Sequence, residues 1–449
     1  MDTGSSLSCP SPFIAESSIT DTGGYIAGRW CKELIATTSC CFPCPITDWR
    51  YPTDFTLGMI GWIGAFDLVL LTVILVSFAV LPPATTMRHY LTTSPVVGFT
   101  FMAVSFIIPL SPHITECRNS ITPNDWLSDL YCAVSGSLLI YGAWVVILSC
   151  FFRSFFLYIH LCWEVELGAK FKYSSLVVIF GGSGALLALA LLLSGVSYHI
   201  GKLCYINFYR STESFWGPLL SVSILSLIIQ IVISGHCIFR VVQPSENPLQ
   251  FCRLRQSWAS RDSPLGLSHG ITRRQVLRRV RRILQLQWRA VLIAALIVFH
   301  TAFMAQALLR AGDATTYSID EVMPWIICLL DSMGSSEECA SYAAHFGPNG
   351  KTTMAAWCLL ALTGFWAFVC VARWTMVAAW IKYVRQKWMT AQSIRHMPVL
   401  PDQSSDEERL SSTSHSLRSR YTHTSMGEKE VTSPKSAYFS GRLPGPPTV

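Results

Sequence analysis

Seven stretches of about twenty apolar residues dominate this chain, and they constrain its fold more than any other feature. They are Leu57–Leu81, Leu91–Leu110, Leu130–Phe152, Ser174–Val196, Phe215–Val242, Leu286–Leu309 and Met354–Ile381. A helix rises about 1.5 Å per residue, so each block matches a hydrocarbon layer about 30 Å thick. In that layer every backbone polar group needs a partner inside the protein, and a helix supplies it within its own segment. Only 14% of the 449 residues are charged, well below the roughly 25% of soluble domains. A further apolar run, Val322–Leu330, is too short to span. The fold expected is an all-α membrane protein, a seven-transmembrane helix bundle.

An odd number of spans puts the two ends on opposite sides. Arg240–Arg289 holds eleven arginines against two acids, Glu246 and Asp262. Lys382, Arg385, Lys387 and Arg395 follow the last block, whereas Ser111–Asp129 holds one base, Arg118. Basic loops stay cytoplasmic, so the N-terminus is expected outside and the C-terminus in the cytoplasm. The start, Met1-Asp2-Thr3-Gly4, has neither the basic region nor the apolar run of a cleavable leader. The first helix is then expected to carry the tail across.

Three regions follow. Residues 1–56 form a cysteine-rich outer tail, too short to bury much of a core without disulfides. Residues 57–381 form the bundle. Residues 382–449 turn to Ser, Thr, Pro and charge and read as a disordered cytoplasmic tail. Ten of the sixteen cysteines fall on the expected outer side: Cys9, Cys31, Cys40, Cys41, Cys44, Cys117, Cys132, Cys204, Cys328 and Cys339. An oxidising exterior permits disulfides there. The other six read as free thiols.

Polar residues inside apolar blocks each need a reason. Asp67 sits mid-block, as the partner of a cation or ion, or as a carboxyl satisfied within the bundle. Ser223, Ser226, Gln230, Ser234 and Cys237 share one helical face, which either lines a ligand cavity or holds helices together. His300 in the sixth block is either a ligand contact or a packed imidazole. Gly181/Ala185 and Gly184/Ala188 are small pairs four apart and suggest close helix packing in the fourth block. Arg153 and His160 at the inner end of the third block suit a conformational latch, although Arg153 also suits simple snorkelling. No His/Cys/Asp set has metal-ligand spacing, and no phosphate loop or nucleophile motif occurs. Neither metal, cofactor, catalytic residue nor nucleic-acid partner is expected. No lysine lies between Lys351 and Lys382, so a retinal pigment is not expected.

The tail reads Cys40-Cys41-Phe42-Pro43-Cys44-Pro45, then Thr47-Asp48-Trp49 and Tyr51-Pro52. The first block ends Ser77-Phe78-Ala79-Val80-Leu81-Pro82 and the second Phe106-Ile107-Ile108-Pro109-Leu110. Ile121-Thr122-Pro123-Asn124-Asp125 and Cys132-Ala133-Val134-Ser135-Gly136 follow, then Cys204 with Ile206-Asn207, and Phe215-Trp216-Gly217-Pro218-Leu219-Leu220. In this order the chain resembles fungal seven-helix receptors related to the secretin, Frizzled and slime-mould cAMP receptors. The resemblance implies a plasma-membrane receptor for an extracellular ligand, signalling through a heterotrimeric G protein. It also implies a bridge between Cys132 and Cys204, with Cys117 the main competitor. A transporter or channel with Asp67 on its pathway, or a scaffold whose tail recruits partners, fits the same hydropathy pattern.

Two cytoplasmic features bear on signalling. Between Thr272 and Gln287, Val276, Val280, Ile283 and Leu284 fall on one helical face and Arg274, Arg278, Arg281 and Arg282 on another. Such a helix suits contact with a partner helix of acidic edges, and equally anionic lipid. Ser404 and Ser405 precede Asp406-Glu407-Glu408, and Ser433 precedes Pro434. These suit acid-directed and proline-directed kinases.

Overall fold

The computed structural model describes residues 9–35, 38–50, 58–82, 86, 89–163, 165, 167–242, 291–306, 319–343 and 350–395. The chain divides into two compact units, Met1–Gln386 and Lys387–Val449. In the second, the described residues are the end of one helix. Arg274, Arg278, Val280, Arg281, Arg282, Ile283, Ser404, Ser405 and Ser433 lie outside the described residues, as does most of the expected cytoplasmic tail.

Among the described residues, six helices are long and apolar enough to cross a membrane. After the short tail helix α1 (Ile46–Arg50), they contain or form α2 (Gly58–Val80), α3 (Tyr90–Ile107), α4 (Leu130–Cys162), α5 (Ala169–Leu193), α6 (Gly217–Val242, entered through a π turn at Thr212–Trp216) and the pair α10 (Gly350–Ala361) and α11 (Thr363–Val371). The sixth apolar block appears as α7, the shorter apolar helix Val291–Gln306. On α2, Ile60, Gly64, Asp67, Leu71, Ile74 and Phe78 are buried at helical spacing. Trp62, Phe66, Val69 and Val73 are exposed on its other face. A helix apolar on its outward face is matched to hydrocarbon rather than water.

The central helix is α4, which packs against α3, α5, α6 and a β-hairpin. Trp144 and Val145 at its middle are fully buried. Asp129 caps its start by accepting from Cys132 N at 3.0 Å, a contact worth about 1 kcal/mol. The approach of α3 to α4 depends on two glycines. A Cβ on Gly142 would lie 2.7 Å from Gly98 O, and one on Gly98 would lie 2.9 Å from Gly142 O. The small pairs expected to pack α5 do not do so. Gly181 and Gly184 have open space where a Cβ would stand, while Ser175, Ile179, Ser183 and Ala190 are the buried positions of that helix. Spacing identified a smooth face but not the direction it points.

The last apolar block is not one helix. After Val371 the backbone becomes extended at Ala372 (φ −61°, ψ 134°), and a separate helix, α12 (Trp374–Arg395), follows. It returns to the end of α2, where Met376, Ala379, Trp380 and Tyr383 pack with Leu71, Ile74 and Phe78. Trp380 Nε1 donates to Ser77 Oγ at 2.8 Å. The expected boundary at 381/382 therefore falls inside a helix, and residues 382–395 of the expected disordered tail are helical.

A cap of irregular and sheet structure covers the end where α2 and α4 begin. Strands β1 (Ile14–Ala15), β2 (Cys31–Ile35) and β3 (Thr38–Cys41) form an antiparallel sheet of order β1-β3-β2. A second sheet is the hairpin β4 (Val196–Ile200) and β5 (Leu203–Ile206). Between α7 and α10, α8 (Ile319–Asp331) and α9 (Ser336–Ala343) bring Val322, Trp325, Ile326 and Leu329 against Phe13 and Phe42 of the tail. The Phe42 ring stacks on Trp325 with centroids 4.7 Å apart. This is the role of the run too short to span.

All ten cysteines expected outside are paired: Cys9–Cys40, Cys31–Cys41, Cys44–Cys117, Cys132–Cys204 and Cys328–Cys339. Cys117 is thus taken by the tail rather than by α4 or the hairpin. Glu16 lies with Cys31 and Cys41 in a cluster of metal-ligand types, but these two sulfurs are bonded to each other. Cys150 and Cys358 are free thiols.

Candidate functional site

Between α3, α4, α6, α7, α10 and α11 lies a cavity of about 270 Å³. Along α4 its wall runs from Leu139 to Arg153, a rise of about 21 Å. Most of the wall is apolar, with Phe99, Met102, Ile147, Leu296 and Ile297 among its members. Tyr205 and Ile206 of the hairpin, with Phe215, Trp216 and Trp357, close it toward the cap. Thr92, Arg153 and Cys370 stand at the opposite end.

Aromatic rings connect the cap to this cavity. Tyr25 of the tail meets His199 at 5.6 Å, His199 meets Tyr205 at 4.9 Å, and Tyr205 meets Trp357 at 5.1 Å between centroids. His199 is further held by Ser197 Oγ and Asn207 Oδ1, each 2.9 Å from its Nε2. Burial pushes its imidazole down to about 4, against a hydrogen bond with Asn207 that favours the charged form. Beside it, burial and the Asp129 carboxylate raise the Tyr198 phenol, whose hydroxyl donates to Asp129. Burial, then the charge of Asp48, also raises the Glu116 carboxyl.

Of the five residues singled out for ligand contact, His300 lines the cavity. Its Nε2 is buried without a hydrogen-bond partner among the described residues, as is Trp357 Nε1. The other four lie elsewhere. Asp67 is fully buried and accepts from the backbone N–H of Phe365 at 3.0 Å. Its carboxylate is thereby used as a clamp between α2 and α11, off the cavity. At Gly364 a Cβ would stand 2.5 Å from Asp67 Oδ2, so the clamp depends on glycine there. Ser223 Oγ donates within its own helix to Leu220 O. Ser226 Oγ lies 3.1 Å from Ser154 Oγ, and Gln230 Nε2 donates to the same Ser154 at 2.9 Å. The polar face of α6 thus joins α6 to α4. Its partner, Ser154, had no pattern of its own in the sequence.

Arg153 and His160 follow one another along α4. Arg153 lines the cavity, and His160 stacks on Phe156 with centroids 5.9 Å apart. The sequence reading missed the aromatic wall of Tyr205, Phe215 and Trp357. Aromatic residues in an apolar block carry no sign of whether they meet lipid or a cavity.

No family model matches the chain. Over 393 residues the chain is 35% identical to the G protein-coupled receptor gprM of Aspergillus fumigatus. The match covers 85% of this chain and 78% of that receptor. With that similarity extending through a bundle of membrane-crossing helices, the chain belongs to the G protein-coupled receptors.

Proposed function

We propose that the protein is a plasma-membrane receptor with seven spans, its N-terminus outside and its C-terminus in the cytoplasm. In this reading an extracellular signal is received in the bundle cavity and transmitted to a heterotrimeric G protein. The observation that carries it is the cavity itself, enclosed by six helices and the hairpin and lined by His300 and Trp357. The resemblance of the tail and first five blocks to secretin-, Frizzled- and cAMP-receptor-like proteins supports a place in that group. Five disulfides at one end of the bundle support that end as the oxidising exterior. Residues 1–56 then serve as the outer tail, 57–381 as the bundle and 382–449 as the cytoplasmic tail.

The coupling surface in this proposal combines Arg153 and His160 of α4 with the face of Val280 and Ile283 and the arginines Arg274, Arg278, Arg281 and Arg282. Ser404, Ser405 and Ser433 are its phosphorylation sites for desensitisation, each phosphate adding about −1.5 to −2 charge. Ligand-stimulated guanine-nucleotide exchange on purified Gα tests the reading. Exchange is expected from the wild type and lost from Val280→Asp/Ile283→Asp with surface expression intact. A tag within residues 1–30 should label on intact cells, and one after Val449 should not. Reversed labelling would overturn the orientation, and the absence of exchange with any ligand would overturn the coupling.

A further inference from the structure

We propose that the bundle cavity takes a single-chain acyl anion, its chain lying along α3, α4 and α7 and its carboxylate at Arg153. This rests on the reading of the cavity as the ligand site and adds the ligand's chemical class and its direction.

Shape is the first argument. The cavity of about 270 Å³ follows α4 over about 21 Å and is therefore elongated. It accommodates an unbranched chain better than a ring system or a bulky polar molecule. The wall is the second. Phe99, Met102, Leu139, Ile147, Leu296 and Ile297 offer apolar contact over the whole length. An alkyl chain gains by leaving water for such a lining.

Charge gives the direction. Among the described residues of that wall, Lys and Arg are represented by Arg153. The ion pairs among the described residues, Arg29–Glu16, Arg118–Asp21 and Arg210–Glu213, involve other residues. The ionisable groups near Arg153 are Cys150, His89 and a second cation, Arg373. A guanidinium in low-dielectric surroundings with a cation nearby favours an anion and disfavours a cationic ligand. The end toward the cap offers Ile206, Phe215 and the rings of Tyr205, Trp216 and Trp357, with no Lys or Arg among its described residues to receive a carboxylate, which suits the methyl end of a chain. The head would then lie two turns from His160, at the end of α4 assigned above to coupling.

The competing account is that Arg153 snorkels toward the membrane surface and holds nothing. Fluorescence titration of the full-length protein in phosphatidylcholine nanodiscs decides between them. The probes are cis-parinarate, a conjugated long-chain carboxylate, and the alcohol with the same chain. Saturable binding is expected, with the acid bound at least about tenfold tighter than the alcohol. Arg153→Gln should remove that preference, Arg153→Lys should retain it, and Ala143→Trp, which fills the cavity, should lose both probes. Equal affinity for acid and alcohol in the wild type, or binding no greater than to empty discs, would overturn the proposal. So would an unchanged preference in Arg153→Gln. The wild-type comparison needs no variant, so a misfolded variant does not leave the question open. Discs containing phosphatidylglycerol separate the sources. Loss of saturable parinarate binding there would assign the site to bilayer lipid and overturn the free acyl anion. Binding is read without a G protein. Saturable binding without exchange on Gα by oleate would refute the receptor reading of the cavity while sustaining the acyl site. Exchange driven by another ligand without parinarate binding would do the reverse.

Discussion

His199 provides the sharpest physical test of the cap. Its ring sits among Tyr25, Tyr205 and Phe208, with Ser197 and Asn207 as polar partners. Burial moves its titration from 6.5 to about 4. The folded state therefore resists a proton that the unfolded chain accepts. Stability from this group is complete above the unfolded value and is lost as pH falls from 6.5 toward 4. Each unit is worth about 1.36 kcal/mol, so the full loss is about 3 kcal/mol, and at pH 5 about 2 kcal/mol has gone. His199→Gln retains a polar side chain without the titration. Glu116 and Asp48 work in the opposite sense, since burial raises their carboxyls and acid relieves that strain in both proteins alike. The measurement is the unfolding midpoint by intrinsic tryptophan fluorescence in detergent at pH 7.5 and pH 5, for wild type and variant. Wild type should be the more acid-sensitive by a difference equivalent to about 2 kcal/mol. Equal acid losses in the two proteins would refute the neutral imidazole.

Three further outcomes follow from contacts in the bundle and cap. Asp67→Leu should lower the unfolding midpoint by the equivalent of about 1–3 kcal/mol, the cost of leaving the part-buried N–H of Phe365 without its acceptor, with Asp67→Asn less affected; equal midpoints would remove the α2–α11 clamp. Ser154→Ala should destabilise by about 1–3 kcal/mol because it strips Gln230 of its buried partner, and adding Gln230→Leu should recover part of that loss; additive losses in thermal unfolding would argue against the pair. Cys44→Ser and Cys117→Ser should each cost about 2–4 kcal/mol, and the double variant no more than either alone; non-reducing peptide mass spectrometry checks the pairing directly.

The apolar blocks were legible because a hydrocarbon solvent imposes one length and one composition on every span. The cysteine set was legible because its members fall outside the membrane-length blocks or, as with Cys132, at the outer edge of one. What the sequence hid depends on direction and distance. Phe42 and Trp325 stack although hundreds of residues separate them, and neither lies in a periodic pattern that announces a partner. Helical spacing found the Ser226–Gln230 face but could not say that Ser154 receives it. The break at Ala372 carries no proline or glycine, so the last block read as one helix. The cavity drew its wall from six helices and a hairpin, and no single segment bears its outline.

The crosslinked cap has a mechanical consequence. Cys44–Cys117 fastens the tail to the connection after α3, and Cys132–Cys204 fastens α4 to the hairpin before α6. Phe13 and Phe42 join that tail to α8, in the connection ahead of α10. The helices are therefore gathered at one end like the arms of tongs at their pivot. With the pivot fixed, a small change of tilt near the cavity grows with distance along each arm. The largest excursion would appear at the far tips, around His160 and the end of α11, where α12 turns away. A spin-label pair placed at those tips should register movement that a pair within the cap does not.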